Sequence, residues 1–205
     1  MRDQPDLESL LSLLHHLDPK VRSEAIHRLG EEGSRQAMQA LRDVVRDDGN
    51  THCRKSALYW LRKRADRPLY NEAIYYALED EDPFLRMHAA WSIRQADRPN
   101  PGIVEPLLSA LASSRDMPAA VPMMLSALGK LGDRRAFEPI AAYLKSESGY
   151  QRGVAAQALG RLGDTRAVGH LTQLLDDHAT AWKEDHGPER TVADIARRAL
   201  ARLTS

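Results

Sequence analysis

The chain has 205 residues, and its 42% hydrophobic and 28% charged side chains are typical of a folded protein rather than a disordered one. Lysine and arginine together number 29, as do aspartate and glutamate, so no net charge attracts the chain to nucleic acid or to an anionic membrane. With Cys53 as its single cysteine and no apolar N-terminal segment, the chain is expected to be cytoplasmic, with neither nucleic acid nor membrane as a partner.

The first predicted helix is amphipathic, and from about residue 18 the chain repeats a helical hairpin about every 32 residues. The leucines of the first helix are Leu7, Leu10, Leu11, Leu14 and Leu17. The first helix of each later hairpin places three core residues at steps of four, which puts them on one helix face. These triplets are Val21, Ala25 and Leu29; Cys53, Ala57 and Leu61; Leu85, Ala89 and Ile93; Ala120, Met124 and Leu128; Gln151, Ala155 and Leu159; and Val192, Ala196 and Leu200.

Turn residues separate the two helices of a hairpin. Glycines predicted to end first helices in the left-handed conformation are Gly30, Gly33, Gly129, Gly132, Gly160 and Gly163. Acids predicted to cap the second helices are Asp66, Asp97, Asp133 and Asp164. No segment alternates apolar and polar residues for long, so the sequence predicts no sheet. An insertion at about residues 178–191 precedes the last helix and breaks the rhythm.

An arginine stands seven residues before the repeat leucine or isoleucine in four hairpins, at Arg22, Arg54, Arg86 and Arg152. Around the last of them, the stretch from Gln151 to Asp164 closely resembles the HEAT repeat, in the short form also found in phycobilisome lyases. The resemblance implies a right-handed α-α superhelix, an α-solenoid of about five to six hairpins. It also implies one domain over residues 1–205, with the first full hairpin from about residue 18.

In that family the repeated arginines pair with acids to form a ladder along the stack. The resemblance implies such pairs for Asp18 with Arg22, Asn50 with Arg54, and Asp82 with Arg86, and it places Arg152 in the same ladder. Two later hairpins have Val121 and Ala193 at the arginine position, where the ladder is expected to be interrupted. Anion binding is the alternative role for these arginines.

Aromatic residues recur at one position of the repeat, occupied by His27, Tyr59 and Trp91. Tyr75 and Tyr76 lie on a second helix, which lines the concave surface in HEAT proteins. Tyrosine and tryptophan bury a large area with few rotatable bonds, so these five residues are candidates for a partner-binding surface. Packing between repeats explains them as well, and both interpretations stay open here.

Three further groups of residues bear on possible chemistry. Deoxyhypusine hydroxylases have a similar repeat but hold iron with His-Glu pairs, and none of the eight histidines here precedes a glutamate. The segments Asp176–His178 and Glu184–His186 favour a solvated loop over a metal site. The basic run at Arg62–Arg64, with Arg67, fits a helix C-terminus better than a nucleic-acid groove. We predict no catalytic residue, no metal and no cofactor.

These observations together predict a protein-binding scaffold or adaptor that uses the curved surface of the repeat stack. Its partner would be another, unidentified protein. The alternative, implied by the resemblance, is a bilin-lyase-like enzyme or a chaperone of chromophore attachment, and only then would a small molecule be bound.

Overall fold

The computed structural model describes residues 6–93, 101–114, 117–182 and 189–204. The described residues are predominantly helical, which confirms the predicted all-α class. Contacts between residues divide the chain into two units, Met1–Ser92 and Ile93–Ser205. In the described part of the chain, no helix has both the length and the apolar character needed to cross a membrane.

The described residues of the first unit form six helices. A separate helix comes first, and the first and second helices of the hairpins then alternate. They are α1 (Leu7–Leu13), α2 (Pro19–Glu32), α3 (Arg35–Asp47), α4 (Thr51–Arg64), α5 (Arg67–Leu78) and α6 (Pro83–Ser92). The first helices are α2, α4 and α6, and the second helices are α3 and α5. The first hairpin begins at Pro19, directly after the cap Asp18, as the repeat predicts.

The second unit continues the alternation with shorter second helices and a small ribbon. Its helices are α7 (Pro101–Ala112), α8 (Val121–Leu131), α9 (Phe137–Ala142), α10 (Gly149–Leu162), α11 (Ala167–Thr172) and α12 (Val192–Thr204). Its strands are β1 (Thr180–Trp182) and β2 (Arg190–Thr191), which pair antiparallel. Here α8, α10 and α12 are the first helices.

Local residues start and stop these helices as predicted. Asp66 accepts a hydrogen bond from the Leu69 N–H at the start of α5, which satisfies one of the free donors of the first turn. Gly33, Gly132 and Gly163 have φ angles of 74°, 73° and 76°, the left-handed conformation that ends a helix at low steric cost. Asp97 lies outside the described residues.

The repeat positions form the core of each unit. Ala25, Ala57 and Ala155, and the leucines that follow them four residues later, are almost completely buried. Two predicted turn glycines have a different role from the expected one: a Cβ atom at Gly129 would lie 2.7 Å from the Ala158 Cα. A Cβ atom at Gly160 would lie 2.7 Å from the Ala199 Cβ. These glycines therefore allow neighbouring first helices to approach closely.

Three of the repeated arginines pair with acids in the described structure, but with other acids than the resemblance implied. Arg22 donates from Nε and Nη2 to both carboxylate oxygens of Asp48, each at 2.8 Å. Arg54 donates to Asp80 Oδ1 at 2.9 Å, and Arg152 makes the two-pronged contact with Asp177 at 2.7 and 3.1 Å. Each of these acids follows the second helix of its hairpin, 25 or 26 residues beyond the arginine.

The acids before the arginines cap helices and do not join the ladder. Asp18 accepts from the Lys20 N–H, and Asp82 accepts from the Phe84 N–H. Arg86 donates to the carbonyl oxygens of Asp80 and Glu81, and its Nε is buried without a hydrogen-bond partner in the described structure. The pairing of Asp18 with Arg22 and of Asp82 with Arg86 that the resemblance implied is therefore corrected. Both acids lie at a helix N-terminus, where they accept hydrogen bonds from free backbone N–H groups.

The ladder is interrupted where the sequence predicts it. Val121 and Ala193 occupy the arginine position of their hairpins, and both are buried.

A pH dependence follows from the Arg152–Asp177 pair. The hydrogen bonds from Arg152 hold the pKa of Asp177 below its ordinary value, against the opposing effect of partial burial. A lowered folded-state pKa contributes stability that is complete above the unfolded pKa of about 4 and is lost as pH falls through the folded pKa. We expect Asp177→Asn to lower the free energy of unfolding by about 2 kcal/mol at pH 7. Urea unfolding should show this difference shrinking below about pH 4, and a difference that is unchanged by acid would contradict the assignment.

The prediction of no sheet is wrong in the insertion before α12. Residues 180–182 and 190–191 form a two-stranded ribbon, and Ala181 of β1 is buried. A Cβ atom at Gly153 would lie 2.6 Å from the Ala181 Cβ, so this glycine lets the ribbon pack directly on α10. Strands of two or three residues are too short to show an alternating pattern, which is why the sequence did not indicate them.

Candidate functional site

One candidate site is an open groove along the first helices of the first unit. Its volume is about 1070 Å³, and side chains from α2, α4 and α6 line it together with Asn50, which directly precedes α4. The lining residues are Pro19, Lys20, Ser23, Glu24, His27, Asn50, His52, Lys55, Ser56, Tyr59, Trp60, Lys63 and His88. Two of the predicted binding residues, His27 and Tyr59, are therefore parts of one groove.

Trp60 organises the aromatic wall of this groove. Its ring lies 5.2 Å from the His27 ring and 5.5 Å from the Tyr59 ring, in both cases edge to face. The indole occupies the space beside Gly30, where a Cβ atom would lie only 2.1 Å from the ring. Gly30 thus leaves space for the Trp60 indole, whereas the sequence predicted a turn at this residue. Edge-to-face pairs of this kind add to the stability that burial supplies.

Cations lie over these rings and continue the surface beyond the groove. Lys63 Nζ is 4.6 Å from the centre of the Tyr59 ring and 5.5 Å from that of Trp60. The Arg62 guanidinium lies 4.9 Å from the centre of the Trp91 ring, whose residue is 56% exposed. Cation–π attraction holds these ammonium and guanidinium groups beside the aromatic rings. Trp91 is adjacent to the groove but is not among its lining residues.

The groove has an excess of positive charge although the chain as a whole is neutral. Lys20, Lys55 and Lys63 line it, and Glu24 is the one acid among its described lining residues. On α4, Tyr59 therefore shares one helix face with His52, Lys55, Ser56 and Lys63, which lie at steps of three and four residues. This spacing is visible in the sequence, but a comparison of equivalent positions in the repeats does not reveal it.

His88 adds a titratable group to the groove. Burial lowers its pKa from the ordinary value of 6.5, and the charge of Lys55 lowers it further, so the imidazole is neutral at pH 7. A bound anion would oppose both effects, because it favours the protonated form.

The structure does not bring Tyr75 and Tyr76 to the groove. Both lie on α5, a second helix, with ring centres 6.0 Å apart. Tyr75 is 40% exposed, and the Arg46 guanidinium lies 5.6 Å from the centre of the Tyr76 ring. These tyrosines form a separate surface on the second helices of the same unit.

The histidines and acids near the insertion do not form a site in the described structure. Asp177 is bound to Arg152, and the described residues contain no cluster of three metal-ligand side chains. The segment Glu184–His186 lies outside the described residues.

Comparison with known families assigns the class of protein. A family model for HEAT repeats matches residues 2–62 and 104–184, which is more than half of the chain. The chain therefore belongs to the HEAT-repeat family, and the resemblance noted in the sequence is confirmed. Solved repeat proteins share the fold: an engineered protein has a TM-score of 0.61 at 19% identity, covering 98% of this chain and 99% of that one. A designed armadillo repeat protein has a TM-score of 0.58 at 16% identity, covering 97% and 100%.

Two curated relatives are more informative about function. The phycocyanobilin lyase subunit alpha of Picosynechococcus sp. is 36% identical over 126 residues, which are 59% of this chain and 47% of the relative. The protein of the same name from Synechococcus elongatus is 33% identical over 117 residues, which are 55% of this chain and 43% of the relative. The chain spans about half the length of these relatives or slightly less.

Proposed function

We propose that this HEAT-repeat protein acts as a bilin-lyase-type subunit, which binds an open-chain tetrapyrrole and works on it together with a protein partner. The observation that carries the proposal is the cationic, aromatic groove of the first unit. The similarity to phycocyanobilin lyase subunits supports it and favours this function over a general scaffold.

The chemistry of the groove suits a bilin. An open-chain tetrapyrrole has two propionate carboxylates and a long conjugated system of planar rings. Lys20, Lys55 and Lys63 supply ammonium groups for the carboxylates, and Tyr59 and Trp60 offer aromatic surface to the pyrrole rings. A volume of about 1070 Å³ slightly exceeds the usual range for small-molecule sites, about 300–1,000 Å³, and so leaves room for a ligand of this length.

The groove binds and orients in this proposal, and no residue in it is assigned to covalent catalysis. Cys53, the single thiol, is buried beside it and its pKa is raised by burial. The thiol is thus held in its protonated, weakly nucleophilic form. The acceptor cysteine for a bilin would therefore belong to a partner protein.

Binding of phycocyanobilin tests the proposal directly. Added to the purified chain, the bilin should show a saturable change in visible absorbance and fluorescence. The variant with Lys20→Gln and Lys63→Gln should bind about tenfold more weakly, because two exposed charge contacts are together worth roughly 1.4 kcal/mol. Both lysines are exposed, so the fold should persist.

A matched control distinguishes an effect of the groove lysines from an effect of the total charge of the chain. Arg35→Gln with Lys145→Gln removes two exposed cations outside the groove and should leave bilin affinity unchanged. Absence of a saturable spectral change with the unmodified chain, or equal loss in both double variants, would overturn the proposal. The first outcome would favour the scaffold function, for which the exposed Tyr75 and Tyr76 of α5 are the candidate protein-contact surface.

A further inference from the structure

A surface of exposed aromatic rings and cations lies next to the groove, on α4 and α6. Phe84 and Trp91 of α6 are 52% and 56% exposed, and Tyr59 of α4 is 45% exposed. Phe84 and Trp91 are seven residues apart, which places them on one helix face about 10 Å from each other along the axis. We call these three rings, together with three cations of α4, the α4–α6 surface. The cations are Lys55, Arg62 and Lys63.

Each of the two exposed rings of α6 is matched by a cation of α4. Lys55 Nζ lies 5.1 Å from the centre of the Phe84 ring. The Arg62 guanidinium lies 4.9 Å from the centre of the Trp91 ring and 6.0 Å from that of Tyr59. Cation–π attraction restrains these long side chains, so less conformational entropy is lost when a ligand binds to them.

The cations of this surface are not neutralised by acids of the chain. Neither Arg62 nor Lys63 makes an ion pair or a hydrogen bond with a carboxylate among the described residues. Arg42 on α3, in contrast, pairs with both Asp43 and Glu72. The surface therefore keeps its positive charge beside exposed apolar rings, and a complementary partner carries negative charge.

Two classes of polyanion complement such a surface, and the ring geometry favours a protein. Single-stranded nucleic acid binds through bases that stack on open aromatic faces. Here a cation of α4 lies over each of the three rings, so one face of every ring is already covered. Carboxylates can bind these cations where they lie, and apolar side chains can pack against the remaining exposed area of the rings. Tryptophan, tyrosine and arginine are also the residues that most often dominate the binding energy of protein interfaces.

We propose that the α4–α6 surface docks an acidic segment of a protein partner, in which apolar or aromatic side chains lie between the carboxylates. Arg62 and Lys63 bind the carboxylates, and Phe84 and Trp91 receive the apolar side chains. Tyr59 belongs both to this surface and to the groove, so a docked segment lies beside the proposed bilin site. The inference rests on the proposed function only in that this function calls for a protein partner.

Binding of a defined peptide to the full chain tests the surface in the absence of bilin. The probe is a fluorescein-labelled peptide of twelve residues that repeats the unit Glu-Glu-Tyr, and the readout is fluorescence anisotropy. We expect saturable binding that weakens as sodium chloride is added, because exposed charges are screened. The variant with Arg62→Gln and Trp91→Ala should bind at least tenfold more weakly, because residues of these two types dominate interface energies. Neither residue lines the groove.

Matched variants separate docking from misfolding and from total charge. Arg62→Lys with Trp91→Phe keeps the charge and an aromatic ring, so it should recover most of the affinity. Arg35→Gln with Tyr150→Ala removes an exposed cation and an exposed ring elsewhere, and should bind the peptide like the unmodified chain. Phe84→Ala changes one exposed side chain and gives an independent measurement, in which binding should also weaken. Circular dichroism should show the same helix content in all of these proteins.

Distinct results would overturn the proposal. Binding that does not saturate, or that falls equally in the variants at Arg62 and Trp91 and at Arg35 and Tyr150, would show that no specific site exists. An oligouridylate of twelve nucleotides that binds more tightly than the peptide would assign the surface to nucleic acid. Displacement of the peptide by phycocyanobilin would place the peptide in the groove instead.

Failure of this proposal is distinguishable from failure of the proposed function. A chain that binds the peptide but shows no saturable spectral change with bilin would refute the function of the groove and leave the docking surface intact. A chain that binds bilin but not the peptide would refute only the docking surface.

Discussion

Replacement of Asp80 by asparagine is expected to lower the free energy of unfolding by about 3 kcal/mol, because it leaves a buried guanidinium without its counterion. The side chains of Arg54 and Asp80 are only 7% and 10% exposed. Arg54 Nε is already buried without a partner, so the contact of Nη2 with Asp80 Oδ1 at 2.9 Å is the main compensation for its charge. Asparagine retains the oxygen that accepts a hydrogen bond from the Asp82 N–H. The substitution therefore removes the negative charge and keeps this hydrogen bond.

Urea unfolding followed by circular dichroism measures this difference. Asp43→Asn is the matched control, because Asp43 pairs with Arg42 and Arg46 at an exposed position where its side chain is 44% accessible. Surface pairs of this kind contribute about 0–1 kcal/mol, so the control should be close to the unmodified protein. Equal stability of the two variants would show that the ladder does not stabilise the stack.

Replacement of Gly30 by alanine is expected to lower the free energy of unfolding by about 2 kcal/mol, although alanine favours a helix over glycine by roughly 1 kcal/mol. The reason is steric: the new methyl group would lie 2.1–2.6 Å from three atoms of the Trp60 indole. The indole cannot move aside cheaply, because His27 and Tyr59 pack against it on the groove side.

A double-mutant cycle with Trp60→Ala makes this explanation testable. In the Trp60→Ala background the collision is absent, so Gly30→Ala should become neutral or slightly stabilising. The expected coupling between the two positions is then about 2 kcal/mol or more, obtained from denaturant midpoints and slopes of the four proteins. Additive effects would mean that Trp60 does not rest on Gly30. The Trp60→Ala protein should in addition bind bilin more weakly, since it lacks the aromatic wall.

Much of the fold was predictable because it depends on contacts close in sequence or on a period. The steps of four residues that include Leu29, Leu61 and Leu159 predicted buried helix faces, and all three leucines are fully buried. Gly33, Gly132 and Gly163 were predicted helix ends because an L-residue rarely adopts the conformation that this turn requires. The ribbon at residues 180–191 was not predictable, since its strands are shorter than any pattern that periodicity can detect.

The candidate sites were only partly predictable. The repeat aligned His27 with Tyr59, and both residues line the groove, but Trp60, Lys20 and His88 join them there because three helices pack side by side. The sequence also indicated the ladder arginines and not their acids, Asp48, Asp80 and Asp177. A carboxylate 25 or 26 residues away can be placed only when the length and tilt of the intervening helices are known.

The sequence by itself determined the repeat, the helix ends at Gly33, Gly132 and Gly163, and the family, because each depends on regular spacing or on the backbone preferences of single residues. Only the tertiary structure decided which acid pairs with which arginine and which glycine makes room for a tryptophan. Those outcomes depend on how closely neighbouring helices approach each other, and the approach is set by side-chain volumes on both helices at once.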